Sequence, residues 1–305
     1  MKIQVFVYSI LILFFFGCST TPKVIIAGSG WNNIAIVDKK SRQIEWIHEL
    51  PLNAESNSVI VSPDGNIAFS YKQGARLVNL DHNIIWDYPV TEKGECHSIT
   101  NLENGGFLLA ISGQPAFLIE LDKYGQEQRK VPFDGITANL HGQFRQVIKS
   151  RSDTYLIPLL AGKKIIEINR QGTQINEYPV PYGPFSVLEL KNSNLIVACG
   201  DGHCFLEIDR KTGKEVRRIK ETDISENKLH YTAQISQTKN GHLLICNWNG
   251  HFKQGEKRPL PHLIELDKKK QIVWELTNDN HQIKKVSAAF YVEDSKIFKT
   301  VLTAE

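Results

Sequence analysis

No apolar run in this chain reaches the roughly 20 residues that a membrane-crossing helix needs. The longest, residues 5–16, has twelve and stops at Gly17 and Cys18. Strong charge of either sign is also missing, since 36 Lys and Arg face 33 Asp and Glu for a net charge of +3. If the leader that carries Lys2 is set aside, the balance becomes 35 against 33, or +2. Such a chain has no electrostatic footprint for nucleic acid. Cysteine is sparse, and Cys96, Cys199, Cys204 and Cys246 follow no spacing that would hold zinc. Helical periodicity is absent as well: the apolar residues do not recur every three to four positions.

What the chain has is a repeat. Six times an apolar strand runs into an acidic or amide residue, a polar turn and a second short strand, at residues 34–46, 75–86, 116–126, 164–175, 204–216 and 262–274. The anchors are Asp38, Asp81, Asp122, Asn169, Asp209 and Asp267, spaced 43, 41, 47, 40 and 58 residues apart. That period suits propeller blades. Ahead of most anchors lies a strand, tight turn and strand, with turn residues such as Pro63-Asp64-Gly65, Glu103-Asn104-Gly105 and Lys239-Asn240-Gly241. Runs such as Leu195-Ile196-Val197 are apolar without alternation, as expected of strands covered on both faces.

These units predict an all-β fold, a six-bladed β-propeller of four-stranded antiparallel blades. Five blades read straight through. The remaining one combines strands from residues 23–48 with an inner strand from residues 286–292, so that pairing of the chain ends closes the ring. Residues 296–305 receive no place. Trp46, Trp86 and Trp274 end outer strands and are expected to lock one blade to the next.

The chain then divides into a leader (1–17), a tether (18–22) and one propeller domain (23–305). A small residue followed by cysteine after a short apolar run resembles the lipobox of bacterial lipoproteins, with Cys18 as the lipidated residue. The resemblance implies a cell-envelope protein held at a membrane by acyl chains, each buried methylene contributing about 0.8 kcal/mol. The elements Val-Asp-Lys-x-x-x-x-Ile-x-Trp and Ile-Asp-Arg-Lys-Thr-Gly-Lys resemble the tryptophan-docking repeats of quinoprotein-like propellers. Those families usually have eight blades. The chain also has no adjacent cysteine pair and no match to their calcium site, so the resemblance implies fold and no quinone; no cofactor is expected.

In a propeller, the loops between second and third strands open on the same face as the segments that lead into each inner strand. The loops supply Trp31, Lys72, Gln114, Lys163, Asp201, His203, Asn247, Trp248, Asn249 and His251. The leading segments supply Asn57, His97, His141, Arg145 and His230. His82, His242, His262 and His281 fall outside this set and read as surface residues. Arg145, just inside an inner strand, needs an anionic partner if buried, either a ligand or Asp201. The long loop at residues 246–261 offers a flat indole, two amides and an imidazole, which suit a sugar or planar molecule.

Two readings follow. One is a membrane-tethered monomer that binds a small polar or anionic ligand, carbohydrate among the candidates, or an envelope protein. The other is an enzyme. Short runs around residues 97–112 resemble arylsulfotransferase propellers, which would make His97 the nucleophile with His141, Arg145 and His230 stabilising charge. A metal-assisted lyase or hydrolase would instead need imidazoles converging on one point. Cys199 and Cys204 flank a short loop where a bridge is conceivable, although buried free thiols are expected.

Overall fold

A computed structural model describes residues 21–51, 54–90, 93–134, 139–225, 228–251, 260–277 and 282–298. The leader, Cys18, His281 and most of the loop after His251 lie outside the described residues. Within them, six four-stranded antiparallel sheets form the blades of a β-propeller. Blade 1 is the composite one: Lys23–Gly28 pairs with Ala288–Val292 on one side and Trp31–Asp38 on the other, followed by Ile44–Glu49. Its closing register sets Lys23 opposite Val292 and Ala27 opposite Ala288. Blades 2 to 6 follow in sequence, with inner strands Val59–Val61, Glu95–Asn101, Ile148–Lys149, Ser186–Glu189 and Tyr231–Gln237.

The repeated anchor is a turn acceptor at the end of each third strand. Asp122 accepts hydrogen bonds from the backbone N–H groups of Tyr124 and Gln126, both at 2.9 Å. Asn169 and Asp267 do the same in blades 4 and 6. In blade 2 this position belongs to Asn79, which accepts from Asn83 N–H at 2.9 Å, and the expected anchor Asp81 lies two residues too late. An amide oxygen serves a turn as well as a carboxylate does. The left-handed residue needed to complete the turn comes three positions after the acceptor at His82, Gly125, Gly172 and Lys270, and four after it at Arg42 and Gly213.

Between neighbouring blades lies an apolar cluster at every interface, including that between blades 6 and 1. Both faces of each sheet are therefore covered, and the strands need no polar alternation. The outer tryptophans reach across as expected. Trp46 donates to Leu80 O and Trp274 donates to Lys39 O, both at 2.8 Å, while Trp86 packs against Gly125. The start of the unplaced tail also finds a role, because Ile297 and Phe298 pack on the cluster between blades 1 and 2. All four cysteines of the ring are buried free thiols.

A second latch escaped the sequence reading. The residue after the anchor reaches back to a glutamate two positions before the anchor of the preceding blade: Arg210 to Glu167 at 2.5 Å, Arg170 to Glu120 at 3.9 Å, and Lys39 to Glu265 across the closure. Glu167 is buried and also accepts from Thr154 and Tyr178 hydroxyls. Burial pushes its pKa up, but Arg210 and the two hydroxyls outweigh that and hold it below its ordinary value. Arg210→Met is expected to destabilise the protein by about 3 kcal/mol at pH 7 in urea unfolding, because it strands a buried carboxylate. With the folded pKa depressed, this contribution is present above the unfolded value of 4.5 and is lost on acidification. The deficit of the variant should therefore shrink as the pH falls below that value.

Candidate functional site

The bends before third strands present their residues at one end of the ring in a left-handed backbone: Gly30, Lys72, Lys163 and His203, at φ 83°, 44°, 48° and 50°. Glycine adopts such a conformation freely, whereas lysine and histidine do so rarely. The leading segments rise to the same end. At the start of Glu95–Asn101 the register shifts between Cys96 and Ser98, leaving His97 as the extra residue of a β-bulge. Bulges re-aim side chains.

Glu95 is the hub of what gathers there. One of its oxygens, Oε2, accepts from His97 Nε2 and from His141 Nδ1, each at 2.8 Å, while Oε1 pairs with Lys72 Nζ at 3.2 Å. The His97 hydrogen bond, aided by His141 and Lys72 against the opposing effect of burial, holds Glu95 well below the usual carboxylate range. His97 is 1% exposed, and burial lowers its pKa to about 4 despite the hydrogen bond it donates to Glu95. Glu55 stands beside the pair, with Oε1 at 3.8 Å from His141 Nε2 and Oε2 accepting from Ser29 Oγ at 2.5 Å. Asn57 Nδ2 lies 3.5 Å from His97 Nδ1, and Ser287 Oγ donates to Asn57 Oδ1 at 3.0 Å.

Arg145 is the buried cation of the mouth, 7% exposed. It precedes its inner strand instead of lying inside it, because this segment leans on blade 5, where Gln146 bridges Ser186, and the strand itself spans only Ile148–Lys149. Its Nη1 donates to the carbonyls of His141 and Phe144. Among the described residues it makes no ion pair. Asp201, the protein partner considered for it, pairs instead with His251 Nδ1 at 2.9 Å. Desolvation lowers the Arg145 pKa, and its neighbours Tyr231, Glu55 and Glu95 oppose that effect.

An aromatic group forms the other side. Tyr231 lies 5.0 Å from Trp248 and 5.4 Å from His251 between ring centroids, with Trp248 and His251 4.6 Å apart. Trp248 Nε1 donates to Ser29 O at 2.9 Å, so the indole bridges blade 6 to blade 1. Ser29 thereby touches both groups. His203 sits 5.2 Å from His230 and its Nδ1 lies 2.7 Å from the His230 carbonyl.

Several expected ligand residues take other roles. Trp31, 3% exposed, is part of the core between blades 6 and 1, because it begins a strand and its ring turns inward. Asn247 is fully buried, holding His230 N–H and the carbonyls of Lys228 and Pro261. Gln114 and Lys163 are exposed and outside both groups, and the Gln114–Pro115 peptide bond is cis. Asn249 is half-buried. His262, expected at the surface, is 2% exposed at the entry to the third strand of blade 6, where burial lowers its pKa to about 4. His242 is half-buried against Glu265. Sequence reasoning missed Glu55, Glu95 and Tyr231. Only Glu95 had a local signal, two residues before His97 and on the same side of a strand.

The molecule is thus a six-bladed propeller with a carboxylate–imidazole cluster and a buried arginine at one mouth. It belongs to the Mal s 1 allergenic protein-like family, whose model matches residues 28–271. A protein of unknown function from Bacteroides caccae is 33% identical over 90% of this chain and 100% of its own, with a TM-score of 0.86. Streptogramin B lyase is 17% identical, with a TM-score of 0.57 over 83% of this chain and 82% of its own. A catalytically inactive virginiamycin B lyase from Staphylococcus aureus with quinupristin is 14% identical, with a TM-score of 0.58 over 91% of this chain and 94% of its own. At those identities the lyases show a shared fold. No protein of curated function matches the chain.

The His97 environment predicts that its imidazole stays neutral, protonated on Nε2, until the pH approaches 4, which nitrogen-15 NMR of the ring measures. An unfolded histidine takes up its proton near 6.5, so the fold should lose stability between pH 6.5 and 4. A His97 ring that titrates near 6.5 in the folded protein would contradict this environment.

Proposed function

We propose that this chain is a lipid-anchored propeller of the bacterial cell envelope whose funnel mouth binds a small anionic, polar ligand. The observation that carries the reading is Arg145, a buried guanidinium without a carboxylate partner among the described residues. A buried charge is costly unless it is paired, and a carboxylate or sulfate entering the mouth would supply the pair through the planar guanidinium fork. Tyr231, Trp248 and His251 provide the apolar and aromatic wall that an organic anion needs beside its charge. Uronic acids and aryl sulfates are the ligand classes this combination suits.

The enclosure of His97 favours binding over sulfuryl transfer. Its Nε2 is held by Glu95, its Nδ1 lies beside Asn57 Nδ2 and the side chain is almost wholly buried, which closes it to a group as bulky as a sulfate ester. Membrane attachment rests on Cys18 and the leader before it. The tryptophan-ended strands account for the resemblance to quinoprotein-like repeats through packing, and no cofactor is carried over from it.

Calorimetry on the full chain in detergent should show binding of glucuronate or an aryl sulfate and no binding of neutral glucose. Arg145→Lys keeps the charge and loses the fork, and should weaken that binding about tenfold or more with circular dichroism unchanged. Equal affinity for neutral and anionic ligands, or an unaffected variant, would contradict the proposal. For the anchor, Cys18→Ala is expected to abolish lipid labelling and release the protein from the membrane fraction; retention with full labelling would contradict lipidation at this residue.

A further inference from the structure

The carboxylate–imidazole cluster has a tautomeric consequence. Glu95 can only accept, so the bonds it receives place protons on His97 Nε2 and His141 Nδ1. The nitrogens that keep their lone pairs are His97 Nδ1 and His141 Nε2. Of these, His141 Nε2 lies 3.8 Å from Glu55 Oε1, and His97 Nδ1 lies 3.5 Å from Asn57 Nδ2, which is itself 3.3 Å from the same Glu55 oxygen. One carboxylate that orients two imidazoles by their far nitrogens is the outer-shell arrangement found around protein-bound metals.

We infer that Glu55, His97 and His141 form a binding site for one divalent transition cation, Zn2+ being the ion that this donor set suits. The ligating atoms offered by the three residues lie within 4.8 Å of one another. Tetrahedral zinc with bonds of about 2.1 Å sets its ligands about 3.4 Å apart. The closure required is small. His141 supplies it most readily, with a side chain 48% exposed, whereas His97 is fixed by its bulge and its burial. The Asn57 amide contacts are at the long limit of hydrogen bonding, so a cation that displaces them disturbs little. Two nitrogens and one oxygen leave one position of a tetrahedral zinc open. The charges of Glu55 and Glu95 are offset by Lys72 and Arg145, so a bound cation would make the mouth net positive. The inference concerns a cation on these residues and does not depend on the anion proposed for Arg145.

The test is titration of ZnCl2 into the metal-free full chain in detergent, followed by calorimetry and by NMR of the histidine rings. One Zn2+ per chain is expected, with His97 Nδ1 and His141 Nε2 shifting on binding. His141→Ala should weaken binding about a hundredfold, and Glu95→Gln, which touches no metal, about tenfold to a hundredfold. Glu55→Gln should also weaken it, and Arg145→Lys should leave it unchanged, which separates this site from the ligand reading. His82→Ala is the surface control, because His48 and His82 form a second imidazole pair with Nδ1 atoms 3.1 Å apart. Absence of Zn2+ binding, retention of full affinity in both His141→Ala and Glu55→Gln, or loss in His82→Ala would overturn the inference.

Discussion

The pairing of Lys23–Gly28 with Ala288–Val292 is the contact on which the rest depends. It joins segments at the two ends of the ring, supplies the innermost strand of blade 1 and completes the apolar interface between blades 6 and 1. The mouth is built directly on that seam. Ser29 N–H donates to Ser287 Oγ across the closure at 3.2 Å, Ser287 holds Asn57, and Ser29 holds both Glu55 and Trp248. Closure is therefore a condition for the site as well as for the fold.

Charge is arranged differently at the two ends. Away from the mouth, buried carboxylates meet cations of the next blade, as Glu120 meets Lys149 at 2.7 Å and Glu167 meets Arg210. Each such pair satisfies groups that would be costly to bury alone. At the mouth the arrangement differs: Glu95 serves two imidazoles and a lysine, while among the described residues Arg145 meets backbone carbonyls and no carboxylate. Buried charges are matched elsewhere, whereas Arg145 has no ion pair among the described residues where loops from several blades converge, and that contrast points to Arg145 as the anion-binding group.

The repeat was legible because it is local chemistry. A turn acceptor, a left-handed residue and a tryptophan lie within about ten residues of each other in blades 1 and 2, for example Asp38, Arg42 and Trp46. The slip from Asn79 to Asp81 arose because both stand in one turn, and only the backbone shows that Asn79 directly follows the third strand and accepts the turn N–H. Arg145 was legible as a charge in an otherwise packed segment. Glu55 was not, and Glu95 only through its nearness to His97, because both also face His141, which lies far along the chain and which only the ring brings near. Trp31 and Asn247 looked like loop residues by position, yet each lies near the end of a strand that turns its side chain into the protein.

The central claim is that ring closure delivers a guanidinium, without an ion pair among the described residues, to an anion-accepting mouth. Its most direct measurement is a crystal structure of the protein grown in selenate and recorded at the selenium edge. The account predicts an anomalous peak within hydrogen-bonding distance of the Arg145 guanidinium, enclosed by the mouth residues. Selenium bound only elsewhere on the surface, with Arg145 paired to a carboxylate of the protein, would contradict it.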